Sequence, residues 1–268
     1  MKTGSYLEMG QMDELGRLDT PLHRLDARVK TLTVLLFVIT VMSFSRYRIA
    51  ELMPLFLFPF ALIGFGNIPL SAIFKKVAIA APFALFVGIF NPLFDHQTVQ
   101  IFGSREISAG WFSFISILIR FVLTVSAALI LIASTGIHRL CAGLERMGVP
   151  SLFAVQILFL YRYLFVIGEE GLRMTRSVRI RSAGPGKPTL RIYGSLAGTL
   201  LIRSMDRAQR VYRAMVSRGF DGQVRMLHRN RPNVQDALFL FGWIAFFLLV
   251  RFWNPATVLG RQITGGVQ

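Results

Sequence analysis

Residues Arg203–Gly222, RSMDRAQRVYRAMVSRGFDG, decide how the chain is read. They describe a basic, polar helix that stops at a glycine, Gly219. The rest of the chain is membrane material. Of 268 residues, 53% are hydrophobic and only 16% are charged, and the mean hydropathy is +0.54. That is too apolar for an ordinary soluble domain. A chain that crosses a bilayer repeatedly and then builds a long charged helix docks that helix onto something soluble.

The net charge is +16, and the segment from Arg162 to Arg231 holds 15 Lys/Arg against 4 Asp/Glu, so +11 of it lies there. Membrane proteins concentrate Lys and Arg on the cytoplasmic side. This accounts for the charge without nucleic acid, and the basic stretches lack the interleaved aromatics of a nucleic-acid surface. The single cysteine, Cys141, allows no internal disulfide. Residues 1–28 carry Glu8, Asp13, Glu14, Asp19 and Asp26 and no apolar core, so they do not read as a cleaved leader.

Apolar runs mark the spans. Thr31–Ser45 is uncharged but short against the roughly 20 residues needed to cross a bilayer, so its flanking Lys and Arg snorkel. Leu52–Phe74 follows and contains a turn at Gly64–Pro69. Val77–Phe94 comes next, then a polar loop from Asp95 to Glu106. Ile107–Ile137 is apolar except for Arg120, which either faces the bundle interior or a partner, or snorkels at a membrane boundary. The last span is Val234–Phe252. Arg17, Arg24, Arg28 and Lys30 place the N-terminus inside. Four spans then return the chain to the cytoplasm near Gly136. A single crossing by Val149–Gly168 would put the basic block outside, so that run reads as an amphipathic or membrane-grazing helix on the cytoplasmic face; a pair of crossings, or a different count upstream, would serve equally. The expected organisation is a membrane domain over residues 1–148, a cytosolic domain over 149–232, and a final span and tail over 233–268. The fold class is all-α: a polytopic membrane protein with about five transmembrane helices and long cytosolic coupling helices.

The cytosolic domain reads as two helices. One runs from Pro150-Ser151 to about Ser182, where Gly184-Pro185-Gly186-Lys187-Pro188 breaks it. The other runs from Leu190 to Arg218, with Thr189 as N-cap and Gly219 as the residue after the C-cap. Gly194, Ala197, Leu201, Met205, Ala208, Tyr212 and Met215 form one apolar stripe along it. Gly194 and Gly198 allow close approach of another helix, and Asp206 can pair with Arg210. Both helices end alike: Ile180-Arg181-Ser182 and Ser217-Arg218-Gly219. Each arginine either serves the helix dipole or projects from the tip into an acidic or carbonyl-lined groove, a task suited to its planar fork of donors. Two similar tips suggest two similar grooves.

Support for catalysis is thin. His23, His96, His138 and His228 are isolated, without the clustering that metal sites require. The chain lacks a Gly-x-x-x-x-Gly-Lys-Ser/Thr loop for ATP phosphates. Glu169 and Glu170 are adjacent, point to different helix faces, and read as solvated.

The segment Thr20-Pro21-Leu22-His23-Arg24-Leu25-Asp26-Ala27-Arg28-Val29-Lys30 resembles the Ser-Pro-Leu-His-Arg-Leu-Asp-Pro-Arg-x-Lys motif of the transmembrane T component of energy-coupling factor transporters. Thr20 replaces serine and Ala27 replaces proline. The two tips are similar to that family's paired Ala-Arg-Gly/Ser signatures, with Ile180 and Ser217 in place of alanine. Arg203–Gly222 is similar to the CbiQ-like, cobalt-associated branch. The resemblance covers nearly the whole chain. It implies a non-catalytic scaffold in a bacterial inner membrane. Two ABC-type ATPase subunits, carrying ATP and Mg, would bind Arg181-Ser182 and Ser217-Arg218-Gly219. A small membrane substrate-binding subunit, carrying cobalt or nickel, would slide on Leu152, Phe153, Leu158 and Phe159. Gly184, Pro185, Gly186 and Pro188 would act as a hinge. No cofactor would be bound by this chain. The rival reading is an intramembrane or lipid-modifying enzyme that uses Arg120 and the basic helices to hold anionic headgroups. It needs an acid, a base or a metal at one membrane depth, and no such group can be assembled from these residues.

Overall fold

The computed structural model describes residues 20–45, 49–94, 98–101, 105–181, 189–222 and 233–253. The chain starts with a short helix α1 (Pro21–Arg24) and the longer α2 (Ala27–Ser43). A 3-10 helix (Ile49–Phe56) leads directly into α3 (Leu57–Gly66). Then come α4 (Leu70–Phe94), strands β1 (Thr98–Ile101) and β2 (Arg105–Ser108), α5 (Ala109–Thr135) and α6 (Ile137–Arg146). The last three helices are α7 (Ser151–Arg181), α8 (Leu190–Val216) and α9 (Val234–Trp253). The fold is the expected all-α polytopic one, with one small addition. Where a polar loop was expected from Asp95 to Glu106, β1 and β2 pair antiparallel, with Thr98 opposite Ser108 and Ile101 opposite Arg105, and β2 takes the first two residues of the expected span.

The described residues fall into two compact units. One holds those between Leu144 and Gly222, and the other holds those on either side. In the second unit, α2, α3, α5 and α9 share an aromatic core. Phe37 and Phe58 stack with centroids 4.4 Å apart, and Trp243 meets Phe58 edge-on at 4.8 Å. Phe247, Leu123, Ala127 and Ile130 complete it, all buried. Offset and edge-on aromatic pairs add to the area they bury.

Two boundaries differ from the sequence reading, each for a local reason. The second and third apolar runs are divided at Asn67, not at Lys75-Lys76. Asn67 adopts the left-handed conformation (φ 47°, ψ 36°) after α3, with its N–H directed to Gly64 and Ile63 carbonyls. Asparagine tolerates that region better than most residues, and α4 then runs unbroken through both lysines. The run Ile107–Ile137 is likewise split by Gly136 (φ 71°), which allows α6 to turn away.

Hydrogen bonds fix the helix directions. At one end of the bundle, Lys30 Nζ near the start of α2 donates to the Ser134 carbonyl near the end of α5, at 3.0 Å. There too the Asp26 N–H donates to Asp236 Oδ1 at the start of α9, at 2.9 Å. At the other end, Arg120 Nη2 on α5 donates to the Phe44 carbonyl just past α2, at 2.8 Å. The guanidinium of Arg251, late in α9, lies 5.0 Å from the centroid of the Phe44 ring. Thus α2 and α9 run parallel and α5 opposes them. The chain leaves and re-enters this bundle at the same end, so any crossings between Ser134 and Asp236 come in pairs. Of the two readings of Arg120, the bundle-facing one is observed, with a helix-end carbonyl among its partners.

Four described helices are long and apolar enough to cross a membrane: Leu70–Phe90, Gly110–Thr135, Ser151–Arg181 and Val234–Phe252. Glu51–Gly66 is a shorter apolar helix. From Ser151 the ambiguous run forms one continuous helix with the basic turns that follow it, and by length and composition that helix could cross as well as graze the membrane.

Candidate functional site

The unit between Leu144 and Gly222 is built almost entirely from α7 and α8. A single carboxylate organises their packing. Glu170 on α7 accepts from Arg207 Nη2 through Oε2, while Arg203 Nη1 lies 3.5 Å from Oε1. The Glu170 side chain is 17% exposed, while Arg207 and Arg203 keep solvent access, so the carboxylate is shielded and the cations are not. Beside it, an added Cβ at Gly171 would lie 3.6 Å from Leu200 Cδ2. The expectation that Glu169 and Glu170 are both solvated holds for Glu169, which is exposed and pairs with Arg173 at 3.8 Å. It fails for Glu170, because consecutive positions on a helix lie about 100° apart and only one can face α8. Among the described ion pairs, none joins Asp206 to Arg210; α8 instead directs Arg203 and Arg207 to Glu170.

Alongside the crossing lies an apolar groove of about 540 Å³. One wall is the α7 stripe Leu152, Phe159, Tyr163 and Ile167; the other includes Met205 and Met215 of α8. Of the residues expected to form a sliding surface, Leu152 and Phe159 line this groove, Phe153 is exposed beside them, and Leu158 is buried. Leu158 therefore does not present a face for sliding.

Helix α8 buries none of its residues. Leu201, Ile202, Met205, Tyr212 and Val216 are all exposed. A Cβ added at Gly194 or Gly198 would meet nothing within 4 Å, so no described part of this chain uses the close approach they allow. Thr189 precedes α8 in an extended conformation but makes no side-chain capping bond.

The two tips differ in how much of each is described. Arg181 is the exposed last residue of α7; Ser182 and the hinge residues Gly184, Pro185, Gly186 and Pro188 lie outside the described residues. The second tip is complete. Gly219 has φ +78°, its N–H donates to the Val216 carbonyl at 2.9 Å, and the Phe220 N–H donates to the Met215 carbonyl at 3.0 Å. These two bonds close α8 in a Schellman arrangement. The motif's usual hydrophobic partners, Met215 and Phe220, both line the groove. Ser217 and Arg218 are held on this turn and are exposed.

In the bundle, the motif 20–30 forms a buried polar node. His23 is hydrogen-bonded with Thr20 Oγ1 at 2.6 Å, and its carbonyl accepts from Arg139 Nη1 at 2.9 Å. Asp26 caps α2 by accepting the Arg28 N–H, and its own N–H is taken by Asp236. Asp236 also accepts the Asn233 N–H through Oδ2 at 2.8 Å. Ser134 carries no local signal in the sequence; Asp236 stands three residues after Asn233 at the start of α9, a capping-box spacing, and only its bond to Asp26 needs a distant partner. Among the described residues no three His, Cys, Asp or Glu lie together as a metal site would require.

The cobalt transport protein family CbiQ matches residues 19–229, from the buried node through both long helices. The chain belongs to this family. Among similar proteins, the energy-coupling factor transporter transmembrane protein EcfT of Bacillus subtilis is 24% identical over 75% of this chain and 80% of its own length. The nickel permease LarQ of Lactiplantibacillus plantarum is 29% identical over 45% of this chain and 44% of its own. The cobalt transport protein CbiQ of Rhodobacter capsulatus is 33% identical over 33% of this chain and 36% of its own. The CbiQ-family chain is thus a multi-pass membrane component of the transport class.

Proposed function

We propose that this CbiQ-family chain couples two ABC-type ATPase subunits to a small membrane substrate-binding subunit in an importer for cobalt or nickel ions. The observation that carries the reading is α8: a 27-residue helix that buries nothing of itself yet exposes large apolar side chains along its length. Such a surface is costly in water and is explained by other chains covering it. The relatives' names, a nickel permease and an energy-coupling factor component among them, support the same reading.

In this reading each tip enters one ATPase. Arg181 and Arg218 supply the donors, while Ser182, Ser217 and Gly219 keep the approach free of bulk. Leu152, Phe153 and Phe159, at the groove, receive the substrate-binding subunit. The α7 stripe from Leu152 to Ile167 is about 22 Å long at ~1.5 Å per residue, enough for four turns of an apolar partner helix. ATP and Mg belong to the ATPases and the transported metal to the substrate-binding subunit, so this chain holds no cofactor and performs no catalysis. The basic unit and the N-terminus face the cytoplasm. Gly184–Pro188 serves as the hinge, and Glu170 as the fixed point of the α7–α8 crossing.

The test is co-purification of the assembled complex carrying Arg181→Glu and Arg218→Glu. Loss of the ATPases with membrane insertion intact is expected. Retention of both ATPases would overturn the assignment.

A further inference from the structure

We propose that the outward face of α4 at Lys75 and Lys76 is a binding site for the headgroup of an anionic phospholipid. The sequence places these lysines between two apolar runs, but α4 continues through them without a break. Lys75, Ile79, Phe83, Phe86 and Phe90 recur at steps of four, four, three and four, which puts them on one helical stripe. All five are exposed. Among the described elements α4 packs extensively on α5 alone, so this stripe is the surface the helix turns away from the bundle.

Lengths set the depth of the lysines. Helix α4 has 25 residues, about 37 Å at ~1.5 Å per residue, against a hydrocarbon core of about 30 Å. The uncharged part from Val77 to Phe94 spans about 27 Å on the same rise and accounts for that core. The candidate span begins at Leu70, so Lys75 and Lys76 lie within about two turns of its start, close enough for their side chains to reach headgroup level by snorkelling; Phe74 and Leu70 beside them are exposed.

The charge there is positive and uncompensated. Helix α4 contains no Asp or Glu, and no ion pair among the described residues involves either lysine. Asp26 and Asp236, at the same end of the bundle, are buried; Asp26 is occupied by the backbone N–H and guanidinium of Arg28, and Asp236 by backbone N–H groups. Consecutive helix positions diverge by about 100°; Lys75 is exposed and Lys76 half-buried, so in this proposal Lys75 meets the phosphate and the flexible Lys76 side chain flanks it. Lysine binds phosphate as a mobile point charge, which suits a headgroup that exchanges with the leaflet.

The experiment is native mass spectrometry of the full chain released from nanodiscs of phosphatidylglycerol mixed with phosphatidylcholine. The wild type should retain phosphatidylglycerol preferentially. K75Q and K76Q should each cut that preference roughly fivefold. The double variant should abolish it with an unchanged melting temperature, while K75R/K76R restores it. Arg251→Gln, at the opposite end of the bundle, should leave it intact. Equal phosphatidylglycerol retention by the double variant, or equal retention of both lipids by the wild type, overturns the proposal. So does loss of a co-purifying membrane subunit with lipid retention unchanged, which would make this face a protein interface.

Discussion

Glu170 on α7 and Arg207 on α8 form the ion pair that joins the two long helices, and Arg203, one turn earlier on α8, reaches the other oxygen of the same carboxylate. One anion thus holds two cations. Replacing Glu170 by glutamine leaves two arginines facing each other at a half-buried position. Because both arginines keep solvent access, losing the pair costs about 1 kcal/mol. Spin labels on α7 and α8 should report a broadened distance distribution in E170Q. In E169Q, where the lost pair is exposed and costs at most a few tenths of a kcal/mol, the distribution should stay narrow. Equal distributions in the two variants would remove Glu170 from its role as fixed point.

The polar node makes a second prediction. Asp236 accepts two backbone N–H groups, from Asp26 and Asn233, and the first is buried. Asp236→Ala strands that donor at a cost of about 1–3 kcal/mol, whereas Asp236→Asn keeps one acceptor oxygen and loses less. Melting temperatures in detergent should rank wild type, then D236N, then D236A. The reverse order of the variants would show that the charge, and not the hydrogen bonding, matters.

Gly219 tests the second tip. Its φ of +78° costs an L-residue about 1–2 kcal/mol, and an added Cβ has open space around it. Gly219→Ala should therefore act through backbone strain alone. Amide exchange at Gly219 and Phe220, the two donors that close the helix, should accelerate while the rest of α8 is unchanged. Unaltered exchange at those two amides would contradict the capping assignment.

Gly143 and Cys141 test α6. An added Cβ at Gly143 would sit 3.1 Å from Ala27 Cβ and 3.4 Å from the Arg28 nitrogen. Backbone cannot give way as a flexible side chain does, so Gly143→Ala should cost about 1–3 kcal/mol. Cys141 reports on the outcome. It is the only cysteine, it is buried, and burial pushes its thiol above the ordinary value. A higher pKa means less thiolate at neutral pH and slower alkylation. Maleimide should label the wild type only on unfolding, and G143A at lower denaturant. Rapid labelling of the folded wild type would contradict the packing.

Much of the helical layout is legible along the chain because its signals are local. The glycine stop at Gly219 and the turn before Pro69 both follow from residues that do not readily continue a helix. The misplaced boundary at Lys75-Lys76 has an equally physical cause. Two lysines interrupt apolarity without interrupting helix propensity, and an apolar count sees only the first. The role of Glu170 was hidden because its partners lie 33 and 37 residues away, on a second helix whose rotation about its axis no local pattern specifies.

By itself the sequence determined that this is a multi-pass helical membrane chain whose charge gathers in one pair of long basic helices. Hydrophobic run length and the distribution of Lys and Arg are additive along a chain and need no tertiary knowledge. Only the tertiary structure decided which charges serve the fold and which are left for partners. Lys30, Asp26 and Asp236 are consumed inside the bundle and Glu170 by the crossing of α7 and α8, while Arg181, Arg218 and Lys75 remain exposed. Those outcomes depend on which helix surfaces meet, and that is settled by packing between segments distant in sequence, such as Lys30 with Ser134 and Glu170 with Arg207.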